Sequence, residues 1–407
     1  MKCVVIGAGP SGMFAAGILA EKHDVTLVDK NEKLGKKLFI TGKGRCNVTN
    51  NSSREELINN IVTNPKFVFG ALSKFSPQDT MNFIESYGCE LKTERGNRVF
   101  PVSDKSSDII KVFEKFLNKN NVDIKLNTKV LSISKNNDKF IVKTNTQEIV
   151  SDIVVIATGG VSYPLTGSSG DGYNFAKKFG HKIVETKPGL SALLCKGVTA
   201  LAGLSLKNVE ANILVDGALE ESEFGEMLFT HEGVSGPIIL SLSSKINKYY
   251  VNKKFTKKIV LSIDLKPALD EETLNNRLVK DLSLKHNQDI KNILQDYMPS
   301  SLIPYILKQA NIQANIKGNS ITKLNRETLI KTLKGLNFII DDMDKIDRAI
   351  ITSGGVDVKN INPKDMQSKI VKGLYFIGEV LDIDALTGGF NIQLALSTAY
   401  TMAKSLL

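Results

Sequence analysis

The sequence has no tryptophan, four histidines and four cysteines in 407 residues. The cysteines, Cys3, Cys46, Cys89 and Cys195, lie far apart, form no C-x-x-C pair and have no histidine partner nearby. That spacing argues against a disulfide scaffold and a zinc site, and it fits a reducing cytoplasm. Tandem repeats and low-complexity linkers are missing as well. With 42% hydrophobic and 24% charged residues, disorder and collagen-like or fibrous architectures are excluded. The one long uncharged run, residues 3–20, is interrupted by Gly7, Gly9, Gly12 and Gly17 and ends at Glu21, Lys22 and His23. A signal peptide needs a basic stretch before its apolar run, and only Lys2 is there. No targeting or transmembrane segment is therefore expected, and the protein is expected to be soluble and cytoplasmic. No Ser/His/Asp or metal-ligand constellation stands out, and no metal is expected.

What is present begins at the first residue. Residues 2–6 are a short Val/Ile run, Gly7-Ala8-Gly9-Pro10-Ser11-Gly12 is a turn, and residues 13–21 carry apolar side chains at helical spacing. Residues 24–29 read as a second strand ending in Asp29. In such a strand–turn–helix–strand unit the first glycine permits the tight turn and the second lets the backbone approach a pyrophosphate. The third allows close helix–sheet packing, and the terminal acid accepts from an adenosine ribose. The complete context, rather than the glycines alone, predicts dinucleotide binding over a merely structural turn.

The C-terminal region favours FAD over NAD. Gly378-Glu379 closes a strand, and Leu386-Thr387-Gly388-Gly389-Phe390-Asn391 opens a last helix, supplying backbone N–H groups and a positive helix end to a second stretch of an extended cofactor. A flavin uses such a return of the chain, because its O2 locus gains negative charge on reduction. Ala157-Thr158-Gly159-Gly160, after a buried apolar run at 153–157, adds a third backbone approach. No second complete dinucleotide fingerprint occurs, so NAD(P)H is expected only as a transient reductant.

Residues 35–50 place Lys36, Lys37, Lys43 and Arg45 beside Gly42 and Gly44, a composition suited to anion contact. Cys46 in the same stretch is either a general acid on the cofactor side or a packed cysteine. His231, within Leu228-Phe229-Thr230-His231-Glu232-Gly233, is either an acid or substrate ligand, or a loop histidine satisfying nearby backbone.

Along the chain, 67–87 reads as mostly helical, and 123–133 and 139–143 as strands. Past Gly189, alternating segments at 209–215 and 258–263 point to a small antiparallel β module. Helical signals then run over 271–284, 290–298, 301–311 and 322–335, before a Rossmann-type strand at 373–378 and a closing helix at 391–406. The expected organisation is α/β: an FAD-binding first part at 1–188, a β-barrel-like part of the insert at 189–265, a helical part at 266–345, and the C-terminal part of the FAD-binding domain at 346–407.

Six segments then occur in fixed order: GAGPSG, GKKLFITGKGRCNVTN, ATGG followed by GSSGDGY, LFTHEGVSGP, ITSGGVDVKNI and GLYFIGEVLDIDALTGGFNIQ. Over essentially its whole length the chain resembles the BaiN/RdsA family of aminoacetone-oxidase-like NAD(P)/FAD-dependent oxidoreductases. It departs from the pattern at Ala385, where Gly is usual, and at Phe390, where Tyr is usual. The resemblance implies a Rossmann-type FAD-binding domain interrupted by an insert with a β-barrel-like part and a helical part. The expected cofactor-binding set is Gly7, Gly9, Pro10, Ser11, Gly12, Asp29, Lys30, Lys37, Gly42, Arg45, Val130, Thr158, Gly159, Gly378, Glu379, Gly388, Gly389, Phe390, Asn391 and Ile392. The expected catalytic residues are Cys46 and His231.

Activities linked to such proteins are reduction of a steroid-like enone, oxidation of aminoacetone, and reduction of a ribosomal RNA uridine to dihydrouridine. Fold likeness does not choose among them. Net charge is +10, and residues 241–340 hold 17 basic against 8 acidic side chains. A steroid or amine site has no use for that surplus, whereas an RNA substrate does. Solvated helix faces of a lysine-rich protein are the bland alternative. The expectation is an FAD-dependent reductase of a uridine in large-subunit ribosomal RNA, with Cys46 as the acid that protonates C5 and the RNA held by a basic insert at 241–340. The alternatives are a small-molecule flavin reductase or oxidase and a non-catalytic RNA-binding flavoprotein.

Overall fold

Short runs of Val, Ile and Leu, too brief for helices and bounded by glycine or acid, assemble one parallel sheet. In a computed structural model that describes residues 1–407, these strands are β1 (Lys2–Ile6), β2 (Asp24–Val28), β3 (Asp123–Lys125), β4 (Ile153–Ile156) and β5 (Leu374–Phe376), in the order β5-β4-β1-β2-β3. All four pairings are parallel. Every residue of β4 and β5 is buried, as a sheet covered on both faces requires. Helix α1 (Pro10–Leu19) covers one side, and helix α2 (Phe390–Lys404) packs against it. A third helix approaches α1 closely at a small residue. A Cβ on Gly17 would overlap the ring of Phe116, in the amphipathic helix Ser106–Lys119.

The chain divides into two units, Met1–Gly189 with Lys345–Leu407, and Leu190–Asp344. In the first, the expected helix at 67–87 is two helices, Pro65–Lys74 and Pro77–Ser86. The break is chemical: Ser76 caps the second helix by accepting from Asp79 N, Asp79 returns a bond to Ser76 N, and Pro77 occupies the first turn. The expected strand at 123–133 is likewise two, β3 and Val130–Asn136, and they belong to different sheets.

The second unit is built on a closed barrel of six strands: Leu193–Cys195, Gly233–Ser235, Ala218–Phe229, Ser205–Val215, Ile259–Asp264 and Leu336–Met343. The helices Glu271–Leu284, Ile303–Gln309 and Lys323–Lys334 lie between its last two strands in sequence. The closing strand thus comes from the stretch 266–345 that sequence reading assigned to helices. Barrel and helices share one apolar core, with Phe229, Leu261, Leu278, Ile306 and Leu333 among its buried members.

Folding also changes the charge account. The acids at 210–232 and 341–344 belong to the same unit as the lysines at 241–340, so residues 190–344 carry 19 basic against 18 acidic side chains. Lys245 pairs with Glu221 and Glu223, Lys248 with Glu220, and Lys257 with Asp216. The basic insert expected at 241–340 is a property of that sequence window, whereas the folded unit is nearly neutral. The remaining residues, 1–189 and 345–407, hold 34 basic against 25 acidic side chains.

Candidate functional site

The carboxyl ends of the parallel strands gather most of the sequence-selected residues. Gly7 adopts φ +108° and donates its N–H to Val28 O at 2.8 Å; a Cβ there would overlap the Ala157 carbonyl, and one on Gly12 would overlap the carbonyl of Gly7. The Gly7 and Gly12 positions are therefore packing requirements. Gly9 is different: a Cβ there would meet nothing within 4 Å, so the turn presents bare backbone to open space. Behind it α1 has no side-chain cap and no acid in its first turn, leaving its N-terminal N–H groups available to an anion.

Asp29, at the end of β2, accepts from Ala8 N at 2.6 Å and Asn31 N at 2.8 Å, which fixes the glycine turn to the acid. The backbone of Thr128 donates to Asp29 O, so Val130 follows directly from this corner. On the other flank, a Cβ on Gly378 (φ +72°) would come within 2.6 Å of Ser11 Oγ. The Gly388–Gly389 turn has φ of +130° and +98°; Gly388 O accepts from Asn50 Nδ2 at 2.9 Å, and a Cβ on Gly389 would overlap the Thr49 carbonyl. Asn391 spends its side chain on this turn, bonding both the N–H and the carbonyl of Ala385. Phe390 is buried, and Ile392 is partly buried against the same core. Helix α2, like α1, starts with neither a side-chain cap nor an acid. Thr158 Oγ1 is buried without a partner, beside Gly159 at φ +70°.

The cations of the set are already neutralised. Lys30 pairs with Asp171 at 2.6 Å. Lys37 lies 2.8 Å from Glu379 and donates to Ser162 Oγ at 2.7 Å, while Glu379 also accepts from Thr352 N at 2.9 Å. Arg45 bonds Glu94 and Asp104 and lies 4.1 Å over the Phe100 ring. Its guanidinium holds the Glu94 carboxyl below the usual range. Bare backbone and two helix ends, rather than these side chains, face an incoming anion. Gly42, at φ +57°, shapes the loop that brings Arg45 to its carboxylates.

An open backbone turn, two uncapped helix N-termini and an orphaned buried hydroxyl fit an elongated, doubly anionic dinucleotide. Residues 1–405 match the family described as HI0933-like protein Rossmann domain. The chain belongs to that family. The resemblance read from its six segments holds, and so does the fold class, a Rossmann-type FAD-binding fold interrupted by a barrel-containing insert. Among curated relatives, the chain is 30% identical to the ribosomal RNA dihydrouridine synthase of Escherichia coli, over 99% of this chain and 97% of that one. It is 29% identical to the 3-dehydro-bile acid delta(4,6)-reductase of Clostridium scindens, over 98% of each. Of solved structures, a 3-ketosteroid delta1-dehydrogenase from Sterolibacterium denitrificans matches with a TM-score of 0.52 at 12% identity, covering 99% of this chain and 98% of that one, a likeness of fold.

The two catalytic expectations fall in contrasting places in this HI0933-like chain. Cys46 is 0% exposed, and burial pushes its thiol up to about 12, so the group keeps its proton but has no open face. His231 is exposed in the turn between two barrel strands, with its carbonyl accepting from Thr199 Oγ1. It belongs to the second unit, whereas the glycine-lined cradle belongs to the first.

Sequence reading passed over a pair of buried acids. Asp384 is 1% exposed, accepts from Ser353 Oγ at 3.0 Å, and leaves Oδ2 without a partner; burial pushes it up to about 6. Burial also raises Asp382, whose carboxylate accepts from Asn64 Nδ2 at 3.0 Å. The signal was two acids inside the apolar run Val380-Leu381-Asp382-Ile383-Asp384-Ala385. No group of His, Cys, Asp and Glu side chains could hold a metal ion, and no helix is long and apolar enough to cross a membrane.

Proposed function

We propose that this chain is an FAD-dependent oxidoreductase that reduces a uridine of large-subunit ribosomal RNA to dihydrouridine, with NAD(P)H as the passing reductant. The observation that carries the reading is the match, along nearly the whole of both chains, to a ribosomal RNA dihydrouridine synthase. The cradle supports the cofactor half: Gly7, Gly9, Pro10, Ser11 and Gly12 would face the pyrophosphate, and Asp29 the adenosine ribose. Thr158, Gly159, Gly378 and Glu379 would lie along the middle of the molecule. Gly388, Gly389, Phe390, Asn391 and Ile392 would present the α2 N-terminus to its ring end. When bound, the flavin would supply the hydride that adds to uridine C6.

The chain must do the rest. The C5–C6 double bond is conjugated to a carbonyl, so addition at C6 is completed by a proton at C5. His231, the exposed member of the two expected acids, is the proposed donor, and enclosed Cys46 packs. The base must be unstacked to reach any such site. A substrate of this kind places the protein in the cytoplasm. A second reading, reduction of a steroid-like enone, is favoured by the bile acid reductase at nearly equal identity, because an enone asks for the same hydride and proton.

Mapping dihydrouridine in ribosomal RNA from a strain lacking the gene, beside its parent, tests the proposal. One site should lose its modification and regain it with the gene. Identical maps would overturn the reading, and turnover of a steroid enone would then favour the second.

A further inference from the structure

The surplus positive charge lies on residues 1–189 and 345–407, and its distribution there is uneven. Three segments, 129–143, 177–187 and 358–373, contain twelve lysines against three acids, Asp138, Glu185 and Asp365. The fold joins all three. The Phe140 and Phe179 rings meet edge to face at 6.1 Å, and Gly373 packs near Phe140. Ser368 Oγ meets His181 Nε2 at 2.9 Å and accepts from the N–H groups of Ile370 and Val371. Asp357 N donates to Lys182 O at 3.0 Å.

Lys139 on this ground pairs with Asp152, but others are satisfied differently from those of the cradle. Lys135 donates to Lys372 O at 2.6 Å, and Lys369 to Lys359 O at 2.9 Å. A carbonyl satisfies a donor and leaves its charge in place, whereas Lys30 and Lys37 face carboxylates. Asp357 borders this ground and accepts from Lys359 N at 3.0 Å, a fourth carboxylate set against the twelve lysines. Lys182, Lys359, Lys369 and Lys372 are exposed.

We propose that Lys135, Lys182, Lys359, Lys369 and Lys372 form a face that binds the phosphate backbone of an RNA, an inference that rests on the uridine-reducing reading. Position favours a long polyanion. Lys372 and Gly373 stand immediately before β5, at the amino ends of the parallel strands, while the glycine turn follows the carboxyl end of β1. A five-residue strand spans roughly 17 Å. A mononucleotide does not reach from one end to the other. A folded RNA with many phosphates does, so this face holds the macromolecule while one base is treated elsewhere.

The test is binding of a large-subunit ribosomal RNA transcript as a function of salt, for the wild-type protein and for K135Q/K182Q/K369Q/K372Q. None of the four residues belongs to the cofactor or catalytic set, so flavin content should be unchanged. Removing four phosphate contacts should flatten the slope of log K against log salt by about 3 and weaken binding more than tenfold at 0.1 M salt. The matching four-arginine variant should restore both. Unchanged slope and affinity in the glutamine variant overturn the face, while the dihydrouridine map independently decides the uridine reading. Equal loss in the arginine variant also overturns it, as does preference of these lysines for phosphatidylserine vesicles over the transcript. If the modification map is unaltered yet the lysines carry RNA binding, the face stands and the catalytic reading falls alone.

Discussion

At the scale of single residues, Asp384 is the carboxylate that departs furthest from ordinary behaviour. It sits between buried Ile383 and Ala385, and only Ser353 Oγ and Thr63 favour its charged form. Its carboxyl, pushed up from 3.8 to about 6, binds a proton more tightly folded than unfolded. The stabilising contribution is therefore full below pH 4 and lost as pH rises through 6. Asp384→Asn should remove that dependence. Relative to wild type it should gain on the order of 2–3 kcal/mol on going from pH 4 to pH 7.5. Denaturant titrations at those pH values check this, and parallel curves for the two proteins would refute it. The catalytic assignment makes a second residue-scale prediction. Cys46→Ala should retain flavin and uridine reduction while losing about 1 kcal/mol of stability through the small cavity left behind. His231→Gln should retain flavin and slow turnover. Loss of turnover in the alanine variant with full activity in the glutamine variant would reverse the assignment.

Among elements, the junction that matters is the one Lys37 and Glu379 make. Helix Lys36–Ile40 supplies the lysine, the turn after β5 the carboxylate, the loop after β4 Ser162, and strand Ile351–Val356 the N–H of Thr352. Four segments distant in sequence thus close on one half-buried ion pair. Glu379→Gln leaves Lys37 without a countercharge, so it should destabilise by about 1–3 kcal/mol and speed amide exchange at residues 159–162. Unchanged exchange there would mean that the glycines, and not the pair, hold the loop. This junction was legible only in part. Glu379 stood out because it ends a strand at a glycine, but nothing in sequence spacing brings Lys37, Ser162 or Thr352 to it. Local chemistry was far more readable: the β1–α1–β2 unit follows from period and glycine offsets. The helix break at Ser76-Pro77 was equally written in a capping serine, yet apolar periodicity running through it concealed the stop. Likewise the barrel strand Leu336–Met343 was masked by the helical pattern just before it.

For the whole molecule, the sequence disclosed an interruption but not where its charge would count, because a linear window separates lysines at 241–340 from the acids that fold against them. The interruption itself has a simple geometric signature. Strand Ile183–Gly189 leaves the first unit and strand Ile351–Val356 re-enters it, and the two pair antiparallel with Gly189 opposite Ile351. Directly paired residues have Cα atoms about 5 Å apart. The chain therefore departs and returns at nearly one point, as an insertion into a pre-existing fold would. The first unit also keeps a core of its own, including all of β4, β5 and most of α1 and α2. Replacing residues 190–350 by a short Gly-Ser turn costs little loop entropy. The excised protein should fold, unfold cooperatively and bind FAD, seen as a flavin spectrum retained through gel filtration. It should be inert toward uridine, because His231 leaves with the insert. A soluble product without flavin would show that the cradle's residues alone do not suffice. A yellow product that still reduces uridine would remove His231 from the chemistry and place the proton source among the residues of the first unit.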